Sequence, residues 1–461
     1  MLYKVISILS LSILLTLTSC GKTTSDEKQN EVIQDEVSLF LSFFSQPDPR
    51  KNSETIKTIK ENWKSEYSTM VLEVTYLIRD PNLSFELITL LQDKTGKDFG
   101  YDFNEWYEWL WNQDQDIIEE YDAFKARLYK FIDPKFETYF SDRGESATIR
   151  LDEIRWGGVG QDGIPPLRGP KMTIASKASY LDDDNVVFGI EVNGDFRAYP
   201  KRILAWHEMF VDEVGGIPVA GVYCTLCGTV ILYKTEFEGK NYQIGTSGFL
   251  YRSNKLMYDK ETQSLWNTLW GKPVLGPLVV KGIELEHLSV VTTSWGEWKR
   301  RHPETLVLAE ETGYKRDYGE GVAYKDYFST DEIMFNTPFE DNRLKNKQEV
   351  LALRLPDYPG EQLAISTKFL KKRPIYTDKI GEQELLVLTD KSGANRVYEN
   401  NGITFTDYDQ NSTVTDLLGT TWKLEEDKLL ASDGRELERL PYHRAFWFGW
   451  YAAFPESRLV K

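Results

Sequence analysis

Cysteine and histidine are scarce: 461 residues carry three cysteines and four histidines. Thiol or soft-metal chemistry therefore has few residues to draw on: Cys20, Cys224, Cys227, His207, His287, His302, His443 and neighbouring carboxylates. Positive charge is short as well. With 55 Lys and Arg against 72 Asp and Glu the chain carries a net charge of −17, so no cationic surplus exists to displace counterions from phosphates, and nucleic acid is excluded as a partner. Long apolar runs are missing too; the longest, from Val5 to Leu17, is shorter than the roughly 20 residues that span a bilayer. Apolar content is not lacking, and 41% hydrophobic residues with 13 Trp, 25 Tyr and 23 Phe are ample for the cores of two or three domains.

The N-terminus has Lys4, the apolar run, and then Leu17-Thr18-Ser19-Cys20, with a small residue before the cysteine. It resembles a bacterial lipoprotein signal (residues 1–20), which implies lipidation at Cys20, a membrane partner through that anchor, and a place in the cell envelope on the periplasmic or outer-membrane side. Residues 21–36 are polar with few apolar anchors and read as a flexible tether. Export would put Cys224 and Cys227 in an oxidising compartment, where only a metal or a reductase keeps such a pair reduced.

From Val37 to Phe140 apolar residues recur at helical spacing, as in Val71, Leu72, Tyr76, Leu77 and in Leu87, Ile88, Leu90, Leu91. Residues 37–148 read as a small all-α domain, and the stretch Thr95–Asp102 followed by Trp106, Trp109 and Trp111 resembles the end of a HEAT-like repeat. Aromatics at this spacing read as core, and the domain as a scaffold or a surface for a protein partner. Strand-like runs and glycine turns dominate thereafter. Val186–Val192 followed by Asn193-Gly194 predicts a hairpin, and a short helix beyond Pro200 carries Trp206-His207-Glu208.

The chain also resembles itself. Trp295, Trp298, Pro303 and Glu304 recur 152 residues later as Trp447, Trp450, Pro455 and Glu456; upstream, Trp266 aligns with Trp422 and Gly228 with Gly393. Two copies make a pair of lobes and not a solenoid. The expected fold is α+β: a helical domain, a first lobe over residues 149–312, a charged, Tyr-rich linker or excursion over 313–348, and a second, degenerate lobe over 349–461. Thr389 and Ser392 stand where the first lobe has Cys224 and Cys227, so chemistry is expected in the first lobe alone.

That chemistry centres on Cys224-Thr225-Leu226-Cys227-Gly228, between two apolar runs. Two intervening residues put both sulfurs on one side of a turn, which suits a metal knuckle or a redox disulfide. Two thiolates fill half of a tetrahedral zinc site, and His207 is the expected third ligand for zinc or copper. The thioredoxin-like context of a strand leading into a helix is absent here, which weighs against redox catalysis. His287, His302 and His443 read as surface or turn residues. Glu208, Arg252, Ser253, Asp259, Thr262 and Ser264 are candidates for a polar pocket; the glycine-rich stretch from Gly245 lacks the Gly-Lys-Ser/Thr of a phosphate loop.

The ordered motifs RAYPKRILAWHE, GIPVAGVYCTLCGTVILY, GTSGFLYRSNKLMYDKETQSLW, TTSWGEWKRRHPETLVL and FWFGWYAAFPE resemble a bacterial and archaeal family catalogued only as a domain of unknown function, over about residues 150–461. The resemblance implies an exported protein with a Cys-x-x-Cys-Gly centre, in which Thr225-Leu226 replaces a frequent proline between the cysteines. Three readings follow: a copper- or zinc-binding envelope lipoprotein, a thiol–disulfide redox protein with Cys224 attacking and Cys227 resolving, and a noncatalytic scaffold with a structural disulfide.

Overall fold

The computed structural model describes residues 35–45, 48–113, 116–141 and 146–461. The expected signal, Cys20 and nearly all of the expected tether lie outside these residues. Among the described residues no helix is long and apolar enough to cross a membrane.

Residues 36–140 are helical, and local chemistry sets the helix starts. Asp48, Asp80 and Asp102 cap the helices Pro49–Glu61, Pro81–Thr95 and Phe103–Trp111, each accepting a backbone N–H of the first turn, with proline at the first position of two of them. The helix Tyr67–Leu77 is buried continuously from Tyr67 to Thr75 and packs on Glu36–Ser45, Pro81–Thr95 and Phe103–Trp111. Glu36–Ser45 also meets Tyr121–Tyr129, so the region closes into a bundle. Stacked repeats touch only their neighbours; here the first helix meets both Tyr67–Leu77 and Tyr121–Tyr129, and Tyr121 and Lys125 reach Glu73 of the helix Tyr67–Leu77. Trp106 and Trp111 are core residues, and the same core runs on into Phe249, Leu256 and Leu275 of the β-rich region.

The β-rich region repeats one order of elements twice. In the first copy the hairpin Val186–Val192 and Asp195–Pro200 leads into the helix Lys201–His207 and the antiparallel strands Met209–Val214, Ile217–Cys224 and Thr229–Lys234. A second sheet from Ile244 to Leu275 follows, then the strand Val291–Ser294, the helix Trp295–Arg301 and the strand Leu306–Leu308, which returns parallel to Asp195–Pro200. In the second copy Glu349–Arg354 and Gln362–Ser366 lead into the helix Thr367–Lys372, three antiparallel strands from Ile375 to Glu399, and a sheet from Phe405 to Glu438. His443–Phe446, Trp447–Ala453 and Arg458–Val460 then close it, the last strand parallel to Gln362–Ser366.

Side chains repeat with the backbone. Trp298 Nε1 donates to Thr305 Oγ1 at 3.0 Å and Trp450 Nε1 to Ser457 Oγ at 2.8 Å; both pairs lie in the 152-residue register. Thr389 ends its strand as Cys224 does, so the second copy keeps the hairpin and has lost the thiols. The copies pack together through Glu297 with Arg396 and through His302 with Glu426 at 3.2 Å.

Residues 313–348, expected as a linker or an excursion, fold over the first copy, with Tyr327 OH donating to the Leu226 carbonyl at 2.7 Å. The expectation for two histidines changes. His443 is buried and His287 half-buried, their rings 5.3 Å apart where the copies meet, because their strands flank the inter-copy seam.

Candidate active site

The strand register pairs Cys224 directly with Thr229 and leaves Thr225–Gly228 as the turn. Gly228 has φ +56°, and a Cβ there would stand 2.8 Å from the Phe446 ring, so this position needs glycine for both conformation and space. The Phe446 amide donates to the Cys227 carbonyl at 2.7 Å, which ties the turn to the second copy.

Both cysteines are free and buried, yet they face different surroundings. Cys224 lines a cavity of about 70 Å³ together with Glu208, Thr225, Leu226, Thr246, Phe249, Leu250, Lys255, Tyr324 and Phe335. Cys227 lies behind it against the helix Trp447–Ala453, where a Cβ on Gly449 would be 3.0 Å from its sulfur. The Cys227 thiol has one proton and two acceptors: the Ser253 carbonyl at 3.1 Å and the Cys224 sulfur. Once Cys224 ionises, its charge takes that proton, since hydrogen bonds to ions are roughly twice as strong as neutral ones.

This hydrogen bond from Cys227 is the main reason the Cys224 thiol sits below its ordinary range, despite burial and the Glu208 charge; the charge and backbone N–H of Lys255 act in the same direction. Cys227 moves the other way, pushed well up first by burial and then by Cys224 itself. The pair is thus divided into a thiol at the cavity held below its ordinary range and a partner behind it pushed above its own.

Glu208 anchors the polar side of the cavity. It caps the helix Lys201–His207 in the left-handed region, with φ 54°. Its Oε1 accepts from Thr225 Oγ1 at 2.5 Å and from Tyr324 OH at 2.9 Å, and its Oε2 pairs with Lys255 Nζ. Both ions of that pair are almost fully buried. The left-handed turn at Glu208 separates it from its neighbour: His207 Nδ1 lies 2.9 Å from the Pro165 carbonyl and Nε2 2.6 Å from Tyr318 OH. Both ring nitrogens are therefore engaged away from the thiols, and burial lowers the ring's basicity. Among the described residues no three His, Cys, Asp or Glu side chains converge as a metal site.

The remaining expected pocket residues do not join Glu208. Arg252 is held by Glu153 at 2.5 Å and by the Ala452 carbonyl. Ser253 contributes its carbonyl to Cys227, while its hydroxyl has no partner among the described residues. Asp259 closes a turn, accepting from the backbone of Glu261, Thr262 and Ser264 and from Thr262 Oγ1; the carboxylate is saturated by its own loop. The residues that sequence reasoning missed are Lys255, Thr225, Tyr324 and Phe335. Lys255 alone left a trace, as a cation inside the strand Asn254–Asp259, which is buried throughout.

No curated protein and no solved structure matches the chain. Residues 161–457, which hold the thiol hairpin and every polar group of the cavity, match the family described as protein of unknown function (DUF3179), and the chain belongs to that family.

Proposed function

We propose that the chain is a thiol–disulfide redox protein in which Cys224 is the attacking thiol and Cys227 resolves it. The observation that carries the reading is the asymmetry of the pair: Cys224 lines the cavity, while Cys227 is buried behind it against the helix Trp447–Ala453. The hydrogen bond between them holds the Cys224 thiol below its ordinary range, and burial together with that bond pushes Cys227 above its own. An attacking thiol needs thiolate character and access to a co-reactant; a resolving thiol needs to lie next to the first and away from solvent. The Lys4-to-Cys20 segment supports a lipid-anchored place in the cell envelope, where such a pair meets oxidants.

Binding of copper or zinc is the second reading, favoured by two sulfurs side by side. It has lost its expected third ligand, since His207 is committed to Pro165 and Tyr318.

Equilibration of the full chain in dithiothreitol buffers of graded redox ratio, read by intact mass, separates the two. The redox reading expects a reversible two-electron transition to one Cys224–Cys227 disulfide. Stoichiometric metal in protein purified without chelator, with both thiols protected, overturns it in favour of the metal reading.

A further inference from the structure

The cavity at Cys224 is small and roofed. Its polar wall is Glu208, Thr225, Thr246 and Lys255, and its apolar wall includes Phe249, Leu250 and Leu226. Residues of the 313–348 segment cover it. Tyr324 is bonded to Glu208 and Tyr327 to the Leu226 carbonyl, while Asn104 and Glu108 of the helical bundle hold Met334 and Asn336. Cys224 is only 2% exposed beneath this roof. A peptide disulfide cannot reach the sulfur without displacing the whole segment. A volume of about 70 Å³ has room for a molecule of a few heavy atoms.

We infer that the oxidising substrate is a small hydroperoxide, hydrogen peroxide or a short alkyl hydroperoxide, reduced at Cys224. This inference rests on the redox reading above. The Cys224 thiolate attacks one peroxide oxygen; the S–O bond forms as the O–O bond breaks. The departing oxygen takes a proton from the Lys255 ammonium and leaves as water or an alcohol. The Cys227 thiol then attacks the sulfenic sulfur, the S–S bond forms as the S–O bond breaks, and the Cys227 proton leaves with the hydroxyl as water. The products are a Cys224–Cys227 disulfide and a neutral Lys255, which regains its proton from solvent. An external dithiol supplies the two electrons that reset the pair. The apolar wall suits the alkyl group, and the Glu208–Lys255 pair keeps the proton donor at the polar end.

The test uses the full chain, reduced, purified in mild detergent, and mixed with hydrogen peroxide, tert-butyl hydroperoxide, cumene hydroperoxide or glutathione disulfide; disulfide formation is read by intact mass. The expected result is oxidation by the two smaller peroxides at least about tenfold faster than by glutathione disulfide, with cumene hydroperoxide slower than both. In Cys227→Ser, dimedone added as the peroxide-treated protein is unfolded in urea is expected to label Cys224. Rapid oxidation by glutathione disulfide, with peroxides no faster than on the urea-unfolded chain, overturns the inference and leaves the redox reading standing. No disulfide with any oxidant overturns both. The wild-type rates decide the matter if Cys227→Ser fails to fold.

Discussion

The backbone N–H of Phe446 donates to the carbonyl of Cys227 at 2.7 Å, so the copy that lost its cysteines holds the turn of the copy that kept them. The helix that follows Phe446 seals Cys227, and Gly449 is the point of closest approach. Gly449→Ala places a methyl 2.8 Å from the Cys227 Cβ, an overpacking that costs about 1–3 kcal/mol. The expected outcome is a lower urea midpoint together with a changed alkylation rate at Cys224. An unchanged midpoint would show that the two copies are not packed at this contact.

Lys255 and Glu208 act on Cys224 with opposite sign. Lys255→Met removes the cation and is expected to move the pH midpoint of Cys224 alkylation upward; Glu208→Gln removes the anion and moves it downward. Breaking one partner of a buried pair also costs about 3–5 kcal/mol, so each single variant should be less stable than the double variant Glu208→Gln/Lys255→Met. Matching shifts in both single variants would contradict the arrangement.

The segment over residues 313–348 is expected to gate the thiol. Tyr327→Phe removes the bond to the Leu226 carbonyl, and Lys347, which stacks on the Tyr327 ring at 3.3 Å, remains. A lost hydrogen bond of about 0.5–1.5 kcal/mol should speed iodoacetamide labelling of Cys224 by about twofold to tenfold at constant pH. Asn336→Ala, which frees the segment from Glu108 of the helical bundle, should act in the same direction. If both variants label at the wild-type rate, access to Cys224 does not run under this segment.

The features legible in the sequence are those that short-range chemistry writes. Asn193 and Gly194, both at positive φ, make the predicted hairpin, and the Cys224–Cys227 turn sits between the two strands expected of it. The 152-residue register of the tryptophans survives as matched hydrogen bonds. What sequence hid is long-range or set by one dihedral. Lys255 reaches Glu208 from 47 residues further along the chain, and Tyr324 arrives from 116 residues beyond Glu208. His207 and Glu208 are adjacent and looked equivalent, yet the left-handed turn at Glu208 sends one side chain to Pro165 and the other to the cavity.

His287 and His443 should make the protein acid-sensitive. The rings meet at the seam between the copies; His287 Nε2 and both nitrogens of His443 have no hydrogen-bond partner among the described residues. Burial, aided by the positive charge of Arg354, pushes His287 down to about 3 and His443 well below its ordinary value. Folded protein therefore keeps both rings neutral, while the unfolded chain takes up protons below about pH 6.5. More protons bind to the unfolded state across that window, so stability is fully present above about pH 6.5 and falls as the pH drops toward 3, by about 1.4 kcal/mol per unit for each histidine. Urea midpoints at several pH values between 7.5 and 4.5 should show this slope in the wild type and a shallower one in His287→Gln/His443→Gln. An equal slope in that double variant would assign the acid sensitivity to other groups, such as the Arg354–Glu284 pair, 2.6 Å apart.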